Sequence, residues 1–251
     1  MREGPRIGTV LSLPGAALAE LAGTSLDLAW IDLEHGALGP ADVPPLAIAL
    51  RAAGCEAHVR LASAVPEALG PVLDAGVTGV VAPCVETADQ AAALVAALRY
   101  PPAGVRGFGP RRAGAYGRVP RYWAAPESRI ALTVQIESAA GVAAARAIAA
   151  VDGVDALVVG CADLSLALGA PMDLGGPALR GAVDAVARAA AGAGTAFGLA
   201  VPDDPRAVAA LAPPGTALLI CSADVRVYAG AVDAAVASLR AALAGSERAA
   251  A

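Results

Sequence analysis

The stretch of sequence that decides the fold lies at residues 26–36 and reads LDLAWIDLEHG. It begins as a short apolar strand, Leu26–Ile31, and then passes into the ionisable residues Asp32, Glu34 and His35. A strand that is apolar along its whole length is typical of a parallel sheet that is buried on both faces. In such folds the functional site lies where the strands end, so these polar residues mark a candidate site.

Working outward, the chain repeats this pattern of a short apolar strand followed by an alanine-rich helix. The other predicted strands are Ile7–Leu13, Ala57–Leu61, Gly79–Ala82, Ile130–Ile136, Ala156–Val159, Ala196–Ala200 and Ala217–Ile220. The predicted helices are Gly15–Ala22, Pro40–Ala53, Pro66–Ala75, Thr87–Leu98, Ala139–Ala149, Pro177–Ala193, Asp204–Leu211 and Val225–Leu243.

Eight strand–helix units predict an α/β fold of the (β/α)8 TIM-barrel type. The alternative is an open doubly wound sheet, which the absence of a GxGxxG motif disfavours. The length of 251 residues suits a single barrel. We therefore expect one barrel domain over residues 1–245 and a disordered tail over residues 246–251.

The composition excludes several classes of protein and of chemistry. A 57% hydrophobic share excludes a disordered chain, and a net charge of −5 gives no general attraction to nucleic acid or anionic membrane. All 18 basic residues are arginine, which excludes a Schiff-base lysine, a pyridoxal-phosphate anchor and a P-loop lysine. The two histidines are too few for a three-histidine metal site within one chain.

The cysteines and the apolar runs indicate where the protein resides. The four cysteines are far apart and form no CxxC pair, so we expect no disulfides and a reducing, cytoplasmic setting. The longest run without a charged residue, 207–223, is broken by Pro213-Pro214-Gly215. We therefore expect no transmembrane helix, and no basic segment precedes an apolar one at the N-terminus as a signal peptide requires.

Three further predicted strands also end in ionisable residues, namely Arg60, Glu137 and Asp163. Burying unpaired charge is costly, so these residues need a partner. Two carboxylates without a neighbouring histidine or thiolate suit a hard cation such as Mg²⁺ or Mn²⁺. The alternative for Glu137 and for Asp163, taken singly, is a helix N-cap.

The remaining candidates each carry two interpretations. His35 could act as a general base or order a metal-bound water, and the alternative is a structural histidine. For His58 we expect the structural role. Arg60 could bind a substrate carboxylate or stabilise a developing enolate oxygen, and the alternative is that it forms an ordinary ion pair. Cys161 lacks a neighbouring base and is read as a small core residue rather than a nucleophile.

The segment Arg99–Arg129 interrupts the strand–helix pattern and contains seven arginines. A connection of this length inside a barrel is usually functional or disordered. We expect its stretch Gly104–Arg121 to shape the mouth of the site and to favour an anionic substrate, because arginine pairs well with carboxylate and phosphate. The alternative is that these arginines make subunit contacts or a solvated surface.

Six short sequence motifs follow one another along the chain. They are DLAWIDLEHG at 27–36, VR at 59–60, LDAG at 73–76, RYPPAGVRGFG at 99–109, VQIES at 134–138 and GCADLS at 160–165. With this order and spacing the chain, from about Gly8 to Leu243, resembles the HpcH/HpaI aldolase family, the metal-dependent class II pyruvate aldolases.

The resemblance implies a role for each site residue. Glu137 and Asp163 would bind a divalent metal, Mg²⁺ or Mn²⁺ and possibly Co²⁺. The resemblance also implies homohexamers in which the last helix is exchanged between subunits. His35, with Asp32, would carry out acid–base chemistry, and Arg60 would contact the enolate and carboxylate. Pyruvate would be contacted by Gln135, Gly160, Cys161 and Ala162. Asp74 would contact the histidine of a neighbouring subunit.

The implied activity is that of a carbon–carbon lyase, an aldehyde-lyase. It cleaves or forms the C–C bond of a 4-hydroxy-2-oxo acid, giving pyruvate and an aldehyde by way of a metal-stabilised enolate. Two departures bear on the substrate: Cys161 stands where the family usually has proline, and residues 220–224 lack the usual glycine. The alternatives are a biosynthetic condensation on oxaloacetate or a coenzyme A thioester, and a non-catalytic barrel that binds an oxo acid.

Overall fold

The computed structural model describes residues 4–202 and 205–249. Its apolar segments form eight parallel strands that close into a barrel in chain order, with β8 paired to β1. The strands are β1 Arg6–Leu11, β2 Leu28–Asp32, β3 Glu56–Arg60, β4 Gly79–Ala82, β5 Ala131–Ile136, β6 Ala156–Gly160, β7 Ala196–Val201 and β8 Leu218–Ala223. The prediction of a (β/α)8 barrel is confirmed.

The helices cover the outside of the barrel. They are α1 Ala16–Gly23, α2 Val43–Ala52, α3 Gly70–Asp74, α4 Ala88–Leu98, α5 Ala139–Ala149, α6 Cys161–Ala167, α7 Pro177–Ala193, α8 Pro205–Leu211 and α9 Asp224–Ala249. Helix α6 is not predicted from the sequence, because it begins at the end of β6 after a glycine, without a side-chain cap. The predicted helix 66–75 divides into a 3₁₀ turn and α3.

Two expected segments reach the ends of the described residues. The predicted helix 204–211 starts at Asp204, which lies outside the described residues, and α8 is seen from Pro205 onward. Helix α9 continues to Ala249, into the segment 246–251 that is expected to be disordered. Residues 250 and 251 lie outside the described residues.

The interior of the barrel explains where the functional side chains lie. Six buried side chains form a separate core inside the barrel: Leu28, Trp30, Val81, Val158, Leu218 and Ile220. Side chains alternate between the two faces of a strand, so Asp32 follows Trp30 into the interior, and Gly160 follows Val158. Each lies one layer nearer the carboxyl end. The alternation thus places Asp32 and the backbone of Gly160 directly above the apolar core inside the barrel.

The arginine-rich segment between α4 and β5 folds at the opposite end of the barrel. It contains three 3₁₀ turns, Ala115–Gly117, Tyr122–Ala124 and Pro126–Ser128. Arg112 and Ala113 lie against Gly76, just before the amino end of β4. A connection from a helix back to the next strand must lie at this end. The expectation that residues 104–121 shape the mouth of this chain's own site is therefore wrong.

Helix α9 leaves an apolar stripe uncovered. Its residues Val225, Tyr228, Val232, Val236, Leu239 and Leu243 are all exposed in the single chain. By length and composition alone, the stretch Asp224–Ala244 would suffice to cross a membrane. Asp233 lies near its centre, and a charged side chain there costs about 2.5–3.5 kcal/mol in a bilayer. A protein surface is therefore a more favourable cover for this helix.

Candidate active site

A buried ion pair forms the base of the site at the carboxyl ends of β2 and β3. Asp32 and Arg60 are directly paired across the two strands. The Nε and Nη2 groups of Arg60 donate to the two carboxylate oxygens of Asp32 at 2.8 and 2.7 Å. Burial by itself would raise the pKa of Asp32, but the hydrogen bonds and the charge of Arg60 outweigh it, so the pKa is lowered. The pair is therefore charged at neutral pH and is joined by two hydrogen bonds.

Glu34 adds a second carboxylate above this pair. Its Oε2 lies 3.3 Å from Nη1 of Arg60, and its backbone N–H donates to Asp32 at 3.0 Å. Burial raises the pKa of Glu34, Arg60 opposes that rise, and the charge of Glu137 adds to it. The sequence shows Glu34 beside His35 but does not predict that it faces Glu137. Two partly desolvated carboxylates that face each other favour a bound cation.

Glu137 lies at the end of β5 and is not a helix cap. The N-cap of α5 is Ser138, whose hydroxyl accepts from the N–H of Gly141 at 3.0 Å. Glu137 is 6% exposed, and its Oε2 accepts a hydrogen bond from Nε2 of Gln135. Among the described residues, Oε1 of the buried Gln135 has no hydrogen-bond partner. A buried acceptor of this kind is normally satisfied by a bound water or a ligand, so Oε1 of Gln135 can contact a molecule that enters the site.

The end of β6 is fitted closely around Glu137. A Cβ atom at Gly160 would lie 2.7 Å from Oε2 of Glu137 and 2.8 Å from Nε2 of Gln135, so any larger residue at this position would displace one or both of these side chains. Helix α6 starts directly afterwards, and Asp163 lies in its first turn, where Gly160 rather than Asp163 is the N-cap. Cys161 is fully buried, and burial raises the pKa of its thiol to about 12. The thiol is therefore inert, as the sequence predicts.

These elements surround one cleft at the carboxyl end of the barrel. It is lined by residues from several strands and helices: Val10, Arg60, Gln135, Gly160, Cys161, Ala162, Asp163, Ser222 and Arg226. The cleft thus brings together Arg60, Gln135, Asp163 and the segment Gly160–Ala162, all predicted from the sequence. Arg226, on the first turn of α9, is not predicted.

The two histidines differ as expected. The side chain of His35 is 65% exposed at the edge of the site, and its Nε2 lies 3.7 Å from Oε2 of Glu34. His58 is buried, and its Nε2 lies 3.2 Å from a carboxylate oxygen of Glu56. The hydrogen bond with His58 is the main cause that lowers the pKa of Glu56 to about 2. The environment of His58 is structural, whereas His35 is accessible to a ligand.

Asp74 lies away from this cleft. It ends α3, before the amino end of β4, and its Oδ1 lies 4.0 Å from Nη2 of Arg106. It borders a different depression, together with Phe108 and Gly109. The structure therefore does not bring Asp74 to the site of its own chain.

Cys84 is a site residue that sequence reasoning missed. It follows β4 by two residues, and its backbone N–H and Sγ lie 2.7 and 3.0 Å from Oε1 of Glu137. Partial desolvation and this hydrogen bond raise the pKa of Cys84 to about 12. The sequence does contain a signal for Cys84, because this residue closely follows the end of a predicted strand, as Glu34 and Glu137 do.

The donors at this end of the barrel fit a divalent cation. The ligating atoms of Glu34, Cys84 and Glu137 all lie within 4.8 Å of one another. The unpaired Oε1 of Gln135 is held beside them. Carboxylates that converge on one point, with a polar atom left unsatisfied next to them, are the pattern expected of a metal centre whose ion completes the hydrogen-bonding and charge balance.

Comparison with known proteins agrees with this geometry. A family model described as HpcH/HpaI aldolase/citrate lyase matches residues 9–217. A 4-hydroxy-2-oxovalerate aldolase of Rhodococcus jostii is 40% identical over 203 residues, covering 78% of this chain and 77% of that protein. A 2-keto-3-deoxy-L-rhamnonate aldolase of Klebsiella pneumoniae is 34% identical over 236 residues, covering 93% of this chain and 88% of that protein.

A solved structure leads to the same family. A HpcH/HpaI aldolase/citrate lyase family protein from Burkholderia cenocepacia J2315 superposes with a TM-score of 0.88 at 35% identity, covering 95% of this chain and 96% of that one. The match thus extends over nearly the whole barrel. The chain therefore belongs to the HpcH/HpaI aldolase/citrate lyase family, whose class II aldolases use a divalent metal.

Proposed function

We propose that this aldolase cleaves, and in reverse forms, the C–C bond of a 4-hydroxy-2-oxo acid, with pyruvate and an aldehyde as the products. The observation that carries the proposal is the buried guanidinium of Arg60, which Asp32 holds by two hydrogen bonds beside Glu34 and Glu137. A guanidinium fixed in this way has N–H groups left to face an anionic oxygen. Both curated relatives described above are named aldolases, which favours cleavage over a biosynthetic condensation.

The metal would be held by Glu137 and Asp163, with Mg²⁺, Mn²⁺ or Co²⁺ as the candidates. A bound divalent cation supplies a Lewis acid beside the 2-oxo group of the substrate. The hydrogen bonds from Cys84 and Gln135 hold the carboxylate of Glu137 at the end of β5. The site is therefore organised before any ligand enters.

The oxo acid would be oriented by groups on β5 and β6. Oε1 of Gln135 has no partner among the described residues, so it is available to a ligand. The backbone of Gly160, Cys161 and Ala162 borders the same cleft and would contact the pyruvate carboxylate. Arg60 would stabilise the negative charge that develops on the 2-oxo oxygen as the C–C bond breaks. Asp32 acts through Arg60 and is a positioning residue.

The proton of the 4-hydroxyl group would be taken by His35. Its side chain is exposed at the edge of the site, where the aldehyde half of the substrate would lie. Its distance of 3.7 Å from Glu34 lets that carboxylate stabilise the imidazolium formed on proton transfer. Asp74 lies at the other end of its own barrel, so a role in this proton transfer requires a neighbouring subunit.

Assembly into a homohexamer would supply that neighbour. The uncovered stripe on α9 supports a subunit contact in which the last helix packs against another copy. The eight strand–helix units support a single barrel domain over residues 1–245. The four cysteines are far apart in the sequence and form no CxxC pair, which supports a reducing, cytoplasmic setting.

The test is a steady-state assay of pyruvate release from 4-hydroxy-2-oxo acids with short, long, neutral and carboxylated tails. We expect turnover with at least one of them, loss of turnover after chelation, and recovery with Mn²⁺. Arg60→Lys is the matched variant, because it keeps the charge but not the two-point hydrogen bond, and its kcat should fall more than its KM changes.

Other outcomes would contradict the proposal in distinguishable ways. Condensation or decarboxylation of oxaloacetate, or turnover of a coenzyme A thioester, without pyruvate release from any hydroxy acid would favour a biosynthetic enzyme. Binding of pyruvate without any turnover would indicate a non-catalytic barrel.

A further inference from the structure

Cys84 has a backbone conformation that aims its sulfur at the metal site. Its φ of 51° lies in the left-handed region, which is uncommon for a residue other than glycine. In this conformation the backbone N–H and the sulfur both face Oε1 of Glu137, at 2.7 and 3.0 Å. Strained residues of this kind cluster at functional sites.

The spacing of the donors suits a shared ion. The ligating atoms of Glu34, Cys84 and Glu137 lie within 4.8 Å of one another. Donors bound to one ion at about 2.0–2.3 Å lie about 3–4 Å apart, so small rotations of these side chains suffice. These three residues follow the carboxyl ends of β2, β4 and β5. In the barrel, β3 lies between β2 and β4, and β4 pairs directly with β5.

A second, independent observation indicates a ligand at the same place. Gln135 is 2% exposed, and its Oε1 has no partner among the described residues. Its Nε2 contacts Glu137, so the unpaired oxygen is held next to the donor cluster. Hydrogen bonds within the cluster leave this oxygen unsatisfied. Solvent on a bound ion would satisfy it before the oxo acid of the proposed function enters.

We propose that Cys84 is an additional protein ligand of the metal centre and that its sulfur shifts the metal preference from Mg²⁺ toward softer cations such as Co²⁺, Zn²⁺ and Cd²⁺. The inference rests on the proposed metal site and extends it, because the family resemblance assigns Glu137 and Asp163 alone. Oxygen donors by themselves suit hard cations, and one sulfur donor favours softer ones. Ligation replaces the thiol proton with the cation, and the proton passes to the buffer.

The test compares metal binding by the full-length protein with that of three variants. Cys84→Ser and Cys84→Ala remove the sulfur, and Cys55→Ala removes a buried thiol at the start of β3, at the other end of the barrel. Calorimetry measures the affinity for Mn²⁺ and for Cd²⁺, and absorption spectroscopy follows the Co²⁺ complex. A sulfur ligand produces a near-ultraviolet charge-transfer band with Co²⁺.

We expect the charge-transfer band in the wild type and in Cys55→Ala, and its loss in both Cys84 variants. The affinity for Cd²⁺ should fall by about tenfold or more when the sulfur is removed, while that for Mn²⁺ should change by less than about threefold. The wild-type spectrum is informative even where a variant fails to fold.

Two results would overturn the inference: a wild-type Co²⁺ complex without the band, or equal affinity for Cd²⁺ with and without the Cys84 sulfur. In either case, normal Mn²⁺ binding would leave the proposed function intact. Absence of Mn²⁺ binding by the wild type would instead refute the metal site of the proposed function, and this inference with it.

Discussion

Replacing Arg60 with methionine would leave Asp32 as a buried charge without its partner. In the structure Asp32 is 1% exposed and Arg60 9%, and their two hydrogen bonds measure 2.7 and 2.8 Å. Breaking a buried ion pair of this kind by removing one partner costs about 3–5 kcal/mol of the free energy of unfolding. For a chain of this size that corresponds to a fall of about 6–20 °C in Tm.

The pH dependence gives the prediction its sign. In the wild type the pKa of Asp32 is lowered on folding, so the pair stabilises the protein above the unfolded pKa of about 3.9 and ceases to do so as pH falls through the folded pKa. Without Arg60, only the backbone N–H groups of Glu34 and His35 oppose the effect of burial, which is the largest single influence on this carboxyl, and we expect the folded pKa of Asp32 to lie above the unfolded one. The carboxylate of Asp32 then destabilises the Arg60→Met variant at pH 7, and this penalty shrinks as the pH falls.

The assay is urea unfolding followed by circular dichroism at pH 7 and pH 5, at a fixed subunit concentration. Arg51→Met, on the exposed surface of α2, is the matched control and should cost less than about 0.5 kcal/mol. The double variant Arg60→Met with Asp32→Leu should regain most of the lost stability, because no buried charge remains. A loss below about 1 kcal/mol in Arg60→Met, or a double variant as unstable as the single one, would refute the reasoning.

Three further predictions follow from the site and from α9. Glu137→Gln and Asp163→Asn should each abolish calorimetric binding of Mn²⁺ while the circular dichroism spectrum stays unchanged; undiminished affinity in both would contradict the metal assignment. Gly160→Ala should lower the affinity for Mn²⁺ by about tenfold or more, because its Cβ would lie 2.7 Å from Glu137, and an unchanged titration would show that the carboxylate can move aside. Val232→Asp with Leu239→Arg should give a monomer by light scattering, since both side chains belong to the exposed stripe; a wild type that is already monomeric would refute the reading of that stripe.

The sequence determined the fold because the signals for it are local. Continuous apolar strands that alternate with alanine-rich helices specify a parallel barrel, and β4, α5 and α7 have the predicted bounds. The alternation of side chains along a strand then places Asp32, Arg60 and Gln135 in the barrel interior, above the apolar core. Both inferences need only the order of residues along one segment at a time.

The tertiary structure alone decided which polar groups meet. The sequence left Glu137 open between a helix cap and a metal ligand, and the capping hydroxyl of Ser138 settles that Glu137 is not the cap. Glu34, Cys84 and Glu137 are separated by about fifty residues each, and they converge because the barrel brings the carboxyl ends of β2, β4 and β5 to one face.

The arginine-rich segment shows the same division. Its composition indicated an anion-binding mouth, whereas its place in the chain, between α4 and β5, puts it at the amino ends of the strands, where Arg112 packs against Gly76. Composition reports what a segment can bind, and chain connectivity decides which end of the barrel it occupies. The kind of chemistry was therefore readable from local sequence, but the grouping of residues depends on distances across the barrel, which only the closed fold sets.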